Sequence, residues 1–150
     1  MGPFLLDANV LIALAWPPHF SHSRAARWFA KHAQMGWATC PFTQTAFVRI
    51  LSNPAFTPYC LSPAEALHLL QINLEHPKHE FWADSLSLSD AVKRLESRMR
   101  GHRQITDAYL VGIARHRKGR MATMDKGLVA LAQGEEAGVV ELIPPHSDFT

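Results

Sequence analysis

The chain has 150 residues, the size of one ordinary domain, and a domain of that size buries about 68–70% of its unfolded surface without staples. Cys40 and Cys60 are its only cysteines, lie 20 positions apart and form no CxxC, which excludes a disulfide framework or zinc ribbon and fits a reducing cytoplasm. Net charge is only +2, yet residues 93–120 carry nine of the 15 Lys and Arg against Glu96 and Asp107, a local excess that suits a polyanion such as nucleic acid.

In chain order, the opening MGPFLLDANV lacks the basic segment of a secretory signal. Asp7 also cuts its apolar run well short of the roughly 20 residues that span a bilayer, so a soluble, uncleaved cytoplasmic protein with no membrane association is expected. PFLL (3–6) is strand-like. ANVLIALA then reads as a short helix ending at Trp16, because Pro17 and Pro18 disfavour helical backbone before them. Residues 23–35 place Ala25, Ala26, Trp28, Phe29 and Ala33 on one face and Arg24, Arg27 and Lys31 on the other, an amphipathic helix. WATC (37–40) is a second strand, and TQTAFVRILS a helix closed by Asn53-Pro54. SPAE (62–65) is a capping box with proline at the first helical position, and it launches a helix to about Leu74.

EFW (80–82) reads as a third strand, and Ser89-Asp90 starts a helix whose Ala91, Val92, Leu95 and Met99 face inward. DAYLVGIA (107–114) is apolar nearly all round and so a buried helix. MATM (121–124) and VVELI (139–143) supply two more strands, with GLVALA as a short helix between them. Strands alternating with helices imply a single α/β domain over residues 1–150, with about five parallel strands flanked by helices.

Within this pattern Asp7 stands where the first strand gives way to a helix, Asp125 stands at the equivalent point after ATM, and Asp107 opens the buried helix. Sites in open parallel sheets form beyond the carboxyl ends of the strands, where the strand order reverses, so the three carboxylates are expected to converge there. Gathered carboxylates repel and take up protons unless a cation joins them. Mg²⁺, a hard ion held by one or two carboxylates and several waters, suits such a set. Any one of these aspartates alone reads first as a helix cap, and only the joint pattern points to a cation.

The ordered segments LLDANVLIAL, CPFTQTAFVRILSNPAF and ITDAYLVGIARHRKGRMATMDKGL, spread over nearly the whole chain, resemble PIN-domain ribonucleases, specifically the VapC toxins of VapBC toxin–antitoxin pairs. The resemblance implies a five-stranded parallel sheet between helices, Mg²⁺- or Mn²⁺-dependent cleavage of RNA, a homodimer and neutralisation by a VapB-like antitoxin. Asp7, Asp107 and Asp125 fall on the family's acidic positions, and Asn9 and Thr123 on the small polar positions that support them. One position departs: Gln44, five residues before Arg49, stands where many PIN domains carry glutamate. Its amide can still accept a hydrogen bond but adds no charge to attract a cation.

The chemistry so implied is metal-assisted hydrolysis of a phosphodiester, with no covalent nucleophile in view. Arg98, Arg100, His102 and Arg103, just ahead of Asp107, are the candidates for gripping the RNA backbone. His19 with His22, and His76 with His79, have ligand-like spacing but sit beside prolines without a regular third ligand, which disfavours zinc. WPPHF with Trp28 and Phe29 could expose an apolar patch to a partner. The competing reading is an RNA- or antitoxin-binding module that has lost turnover through Gln44.

Overall fold

A computed structural model describes residues 2–145. The buried run Phe4–Leu6 forms β1, and the other strands are β2 (Trp37–Thr39), β3 (His79–Phe81), β4 (Arg120–Thr123) and β5 (Val140–Leu142). All pair in parallel, in the order β3-β2-β1-β4-β5. Between them run α1 (Ala8–Ala15), α2 (His22–His32), α3 (Pro41–Leu51), α4 (Pro63–Leu74), α5 (Leu88–Val92), α6 (Ile105–His116) and α7 (Lys126–Leu131).

The two-residue period of a strand divides the core. Phe4 and Leu6 pack with Ile12, Trp28, Phe47 and Leu70, under α1 to α4. Leu5, level with Ala38 and Met121, packs with Val111, Ile113 and Leu128, under α5 to α7. Strands covered on both faces have no wet side, which is why they read as short, nearly continuous apolar runs.

Strand order reverses beside β1. The chain steps outward through β2 and β3, then returns by α5 and α6 to place β4 on the other side of β1. Gly112 makes that return possible, because a Cβ there would lie 2.1 Å from the Ala91 carbonyl oxygen, so α6 passes α5 at backbone contact. Asp107 is thereby carried in the first turn of a tightly seated helix.

Several boundaries differ from the sequence reading for local reasons. α3 begins at Pro41 rather than Thr43, since proline is preorganised for a first helical position and Thr43 instead bonds back to Cys40. The helix expected from Ser89 begins at Leu88, where Ser87 accepts the Asp90 N–H at 3.2 Å, and passes into a 3₁₀ segment over Lys93–Arg98. Among the described residues no helix is long and apolar enough to cross a membrane.

Candidate active site

Asp7 is the first residue past β1, and its backbone is spent on the fold. Its N–H donates to the Ala122 carbonyl at 3.0 Å, and its carbonyl accepts from Val10 and Leu11 at the start of α1. Its side chain does not cap that helix. Instead the Thr123 hydroxyl donates to Asp7 Oδ2 at 2.8 Å, and the Thr123 oxygen accepts the Asp125 N–H at 3.0 Å. One buried threonine thus ties the two strand-end acids together. Asp125 does serve as a cap, with Oδ1 accepting the Gly127 N–H at 2.8 Å.

The third acid completes an electrostatic set. Burial, and then the charges of Asp7 and Asp125, push the Asp107 carboxyl up to about 6. Asp7 is also raised, chiefly by burial, with the Thr123 hydrogen bond opposing and Asp125 adding repulsion. Each strained acid feels Asp125, and Asp107 feels Asp7 as well. Among the described residues, however, no three His, Cys, Asp or Glu side chains stand close enough together to hold a metal ion as they are. The arrangement is an open set of hard oxygen donors whose mutual repulsion a cation would relieve, which suits an ion that retains several waters.

The remaining candidates divide. Asn9 is exposed on α1 and shares a cleft with Asp125. Gln44 Nε2 donates to Thr39 Oγ1 at 2.9 Å, and Thr39 Oγ1 lies 2.8 Å from His79 Nε2. Thr39 follows Ala38 and so turns toward the α1–α4 face, whereas Thr123, two past Met121, turns toward the α5–α7 face. The Gln44 amide is therefore hydrogen-bonded to the last residue of β2, the strand that pairs with β1.

The basic segment is also not one surface. Arg94 and Arg115 lie 3.5 and 3.4 Å from the carboxylate of Glu136, which is only 2% exposed. Arg120 lies 3.5 Å from Glu141, and Arg98 Nε donates to the Leu131 carbonyl at 3.1 Å, at the end of α7. Arg98 thus spends its Nε on tying segments together, and it lines a cleft with Arg100. Arg100, His102 and Arg103 are exposed ahead of α6, with the Arg100 N–H held by Gln104 Oε1.

Other motifs are absorbed by packing. Trp28 is buried and donates to Glu141 at 2.8 Å, and Phe29 packs edge-on against Trp37. His76 accepts from Trp37 Nε1 at 3.2 Å. What WPPHF does expose is Phe20, at 94%. A cleft the sequence reading missed joins His19, Phe20, Arg24 and Phe56 to Asn9 and Asp125. These residues come from loops and helix ends, where no periodicity announces a shared surface.

Residues 4–134 match the family model described as PIN domain. The chain is 42% identical over 139 residues to Ribonuclease VapC38 of Mycobacterium tuberculosis, covering 93% of this chain and 96% of that protein. It is 39% identical over 139 residues to Ribonuclease VapC39 of the same species, covering 93% and 98%. It is also 41% identical over 140 residues to Ribonuclease VapC29, covering 93% and 96%. In fold it is similar to a chain in the crystal structure of VapBC2 from Rickettsia felis bound to a promoter DNA fragment, with a TM-score of 0.62 at 12% identity over 93% of this chain and 97% of that one. The acid-bearing β1 and β4 ends, the α6 turn between them and this full-length similarity agree: the chain belongs to the PIN-domain family, in its VapC group.

Proposed function

We propose that this protein is an endoribonuclease that hydrolyses RNA phosphodiester bonds with Mg²⁺ or Mn²⁺ at Asp7, Asp107 and Asp125, and that it is the toxin of a type II pair held in check by a VapB-like antitoxin. The observation that carries this is the meeting of three carboxylates where the strand order reverses, with Asp107 pushed up to about 6 by burial first and then by the charges of Asp7 and Asp125. Burying like charges together costs stability, and a cation-dependent reaction is the use that offsets it. The ribonuclease names of the VapC relatives support the same reaction class.

When bound, the cation would polarise the scissile phosphate and ease deprotonation of the attacking water. The protein's part is to hold charge in place. Thr123 fixes Asp7 through Oδ2, and the Gly127 N–H fixes Asp125 through Oδ1, so both carboxylates are oriented before substrate arrives. Asp107, ionised above about pH 6, supplies the third charge from the seated turn of α6. Arg100, His102 and Arg103, exposed just before that turn, take the backbone phosphates on either side. Water oxygen bonds to phosphorus, the ester bond to the ribose oxygen breaks, and that oxygen leaves with a proton. The antitoxin partner, supported by the VapBC2 neighbour, belongs to the same reading, as does a homodimeric assembly.

Incubating the purified chain with single-stranded RNA in Mg²⁺ or Mn²⁺, against EDTA, tests the proposal. Cleavage with either ion that is absent in EDTA and in Asp7→Asn is the expected result. Tight RNA binding with no cleavage in any metal would instead favour the binding-module reading.

A further inference from the structure

The cleft beside Asp125 has one wall of aromatic rings that the acid chemistry does not use. Phe20 lies stacked on His19, ring centroids 4.9 Å apart and planes 16° apart, and is 94% exposed. His19 in turn stacks near Phe56 at 6.3 Å and 29°, and Phe56 leans on Trp16 at 5.5 Å. Local bonds hold this row in place. His19 Nδ1 accepts the Ser21 N–H at 3.0 Å, which fixes the imidazole plane, and the Phe56 N–H donates to the Asn53 carbonyl at 3.0 Å. The cleft measures about 370 Å³, within the range of about 300–1,000 Å³ typical of small-ligand sites.

A wholly exposed phenyl ring gains nothing for the fold, since its apolar surface stays in water. Laid flat on an imidazole, it offers its outer face to another planar group. The same cleft is lined by Asn9 and Asp125, so its occupant lies next to the acids. On the reading of those acids as an RNA-cleaving centre, the planar group beside the scissile phosphate is a nucleobase, and stacking without base-edge readout is how proteins hold unpaired strands.

We infer that His19, Phe20 and Phe56 form a base-stacking subsite, which accepts an unpaired nucleobase flanking the scissile phosphate. Arg24 is not the anchor, because its guanidinium is bonded to the carbonyls of Ile143 and Pro144. The base is held by ring faces, and an A-form duplex, with its bases already stacked, has none to offer.

The test is binding of a short single-stranded RNA carrying 2-aminopurine, in EDTA so that nothing is cut. Phe20 is 94% exposed, so Phe20→Ala should fold normally and weaken binding by about 5- to 100-fold. The quenching of 2-aminopurine that accompanies binding should vanish with it, and Phe20→Trp should restore both. Binding of duplex RNA should be insensitive to both substitutions. Unchanged affinity and quenching in Phe20→Ala would overturn the inference. So would a Phe20→Ala effect confined to self-association or to binding a VapB-like antitoxin, which would mark a protein-docking face. Cleavage in Mg²⁺ is scored separately: quenching without cleavage sinks the nuclease reading and leaves the subsite, whereas cleavage unaffected by Phe20→Ala does the reverse.

Discussion

Thr123 donates its hydroxyl to Asp7 across the β4–β1 boundary at 2.8 Å while accepting the Asp125 N–H at 3.0 Å. A wholly buried residue of β4 therefore sets the position of both strand-end acids. Thr123→Val keeps the volume and removes both bonds. The fold should survive, the Asp7 carboxyl should rise further because a hydrogen bond that opposes protonation is gone, and Mg²⁺ affinity should fall by about 10–100-fold, the usual cost of losing an outer-shell partner. Calorimetric Mg²⁺ titration of wild type and variant measures it, and equal affinities would mean that Asp7 needs no such support.

A second prediction follows from protonation. Asp107 has a carboxyl at about 6 in the folded chain against an ordinary value of 3.8, so between these pH values the folded state holds a proton that the unfolded state has lost. Stability of the metal-free protein should therefore be highest near pH 4 from this group, fall as pH rises through 6, and level off above it. Asp107→Asn should flatten that slope and raise the Tm at pH 7.5 in EDTA. Saturating Mg²⁺ should flatten it in wild type by favouring the ionised form. Thermal melts across pH 4.5–7.5 would refute this account if wild type and Asp107→Asn ran parallel.

Gln44 gives a third. Because its amide donates to buried Thr39, Gln44→Ala should cost about 1 kcal/mol of stability through a lost hydrogen bond, yet leave Mg²⁺ affinity within about twofold. Gln44→Glu puts a carboxylate where the family often has one, and a charge free to leave Thr39 should tighten Mg²⁺ binding by about tenfold, the lower end of outer-shell effects. A large loss of Mg²⁺ affinity in Gln44→Ala would show that the amide already serves the cation.

The arginines should separate by role. Glu136→Ala strips the carboxylate from Arg94 and Arg115, which are themselves partly exposed, and should destabilise by about 1–3 kcal/mol. Arg98→Ala should cost about 1–2 kcal/mol, because the Leu131 carbonyl loses a charged donor. Arg103→Ala should leave stability alone and reduce the slope of log K against log salt for single-stranded RNA by about 0.7. Urea melts and salt-dependent RNA binding would reveal the reverse pattern if the basic run were one uniform surface.

These contrasts mark how far the sequence could be read. Period, capping and proline placement are local, and they located β1, α1, α4, the buried α6 and the strand-end positions of Asp7 and Asp125 within a residue or two. Whether an aspartate is a cap or a ligand is not local. Asp7 turns its carboxyl to Thr123 and the adjoining Ala8 N–H, while Asp125 caps α7 through Oδ1. Side-chain partners drawn from distant segments were also hidden. Counting charge over 93–120 could not foresee that Glu136, outside that window, would take two of its arginines, or that Leu131 would hold a third. The aromatic row escaped for the same reason, since Trp16, His19 and Phe56 meet only through the fold.

The central claim is that Asp7, Asp107 and Asp125 act together as one cation site. Titrating Mn²⁺ into the purified protein and following free ion by electron paramagnetic resonance tests it most directly, with Asp84→Asn, an exposed acid outside the set, as control. Wild type and Asp84→Asn should bind Mn²⁺ alike, Asp7→Asn and Asp107→Asn should bind at least about tenfold more weakly, and RNA cleavage should follow occupancy. Equal Mn²⁺ binding in all four proteins would contradict the account.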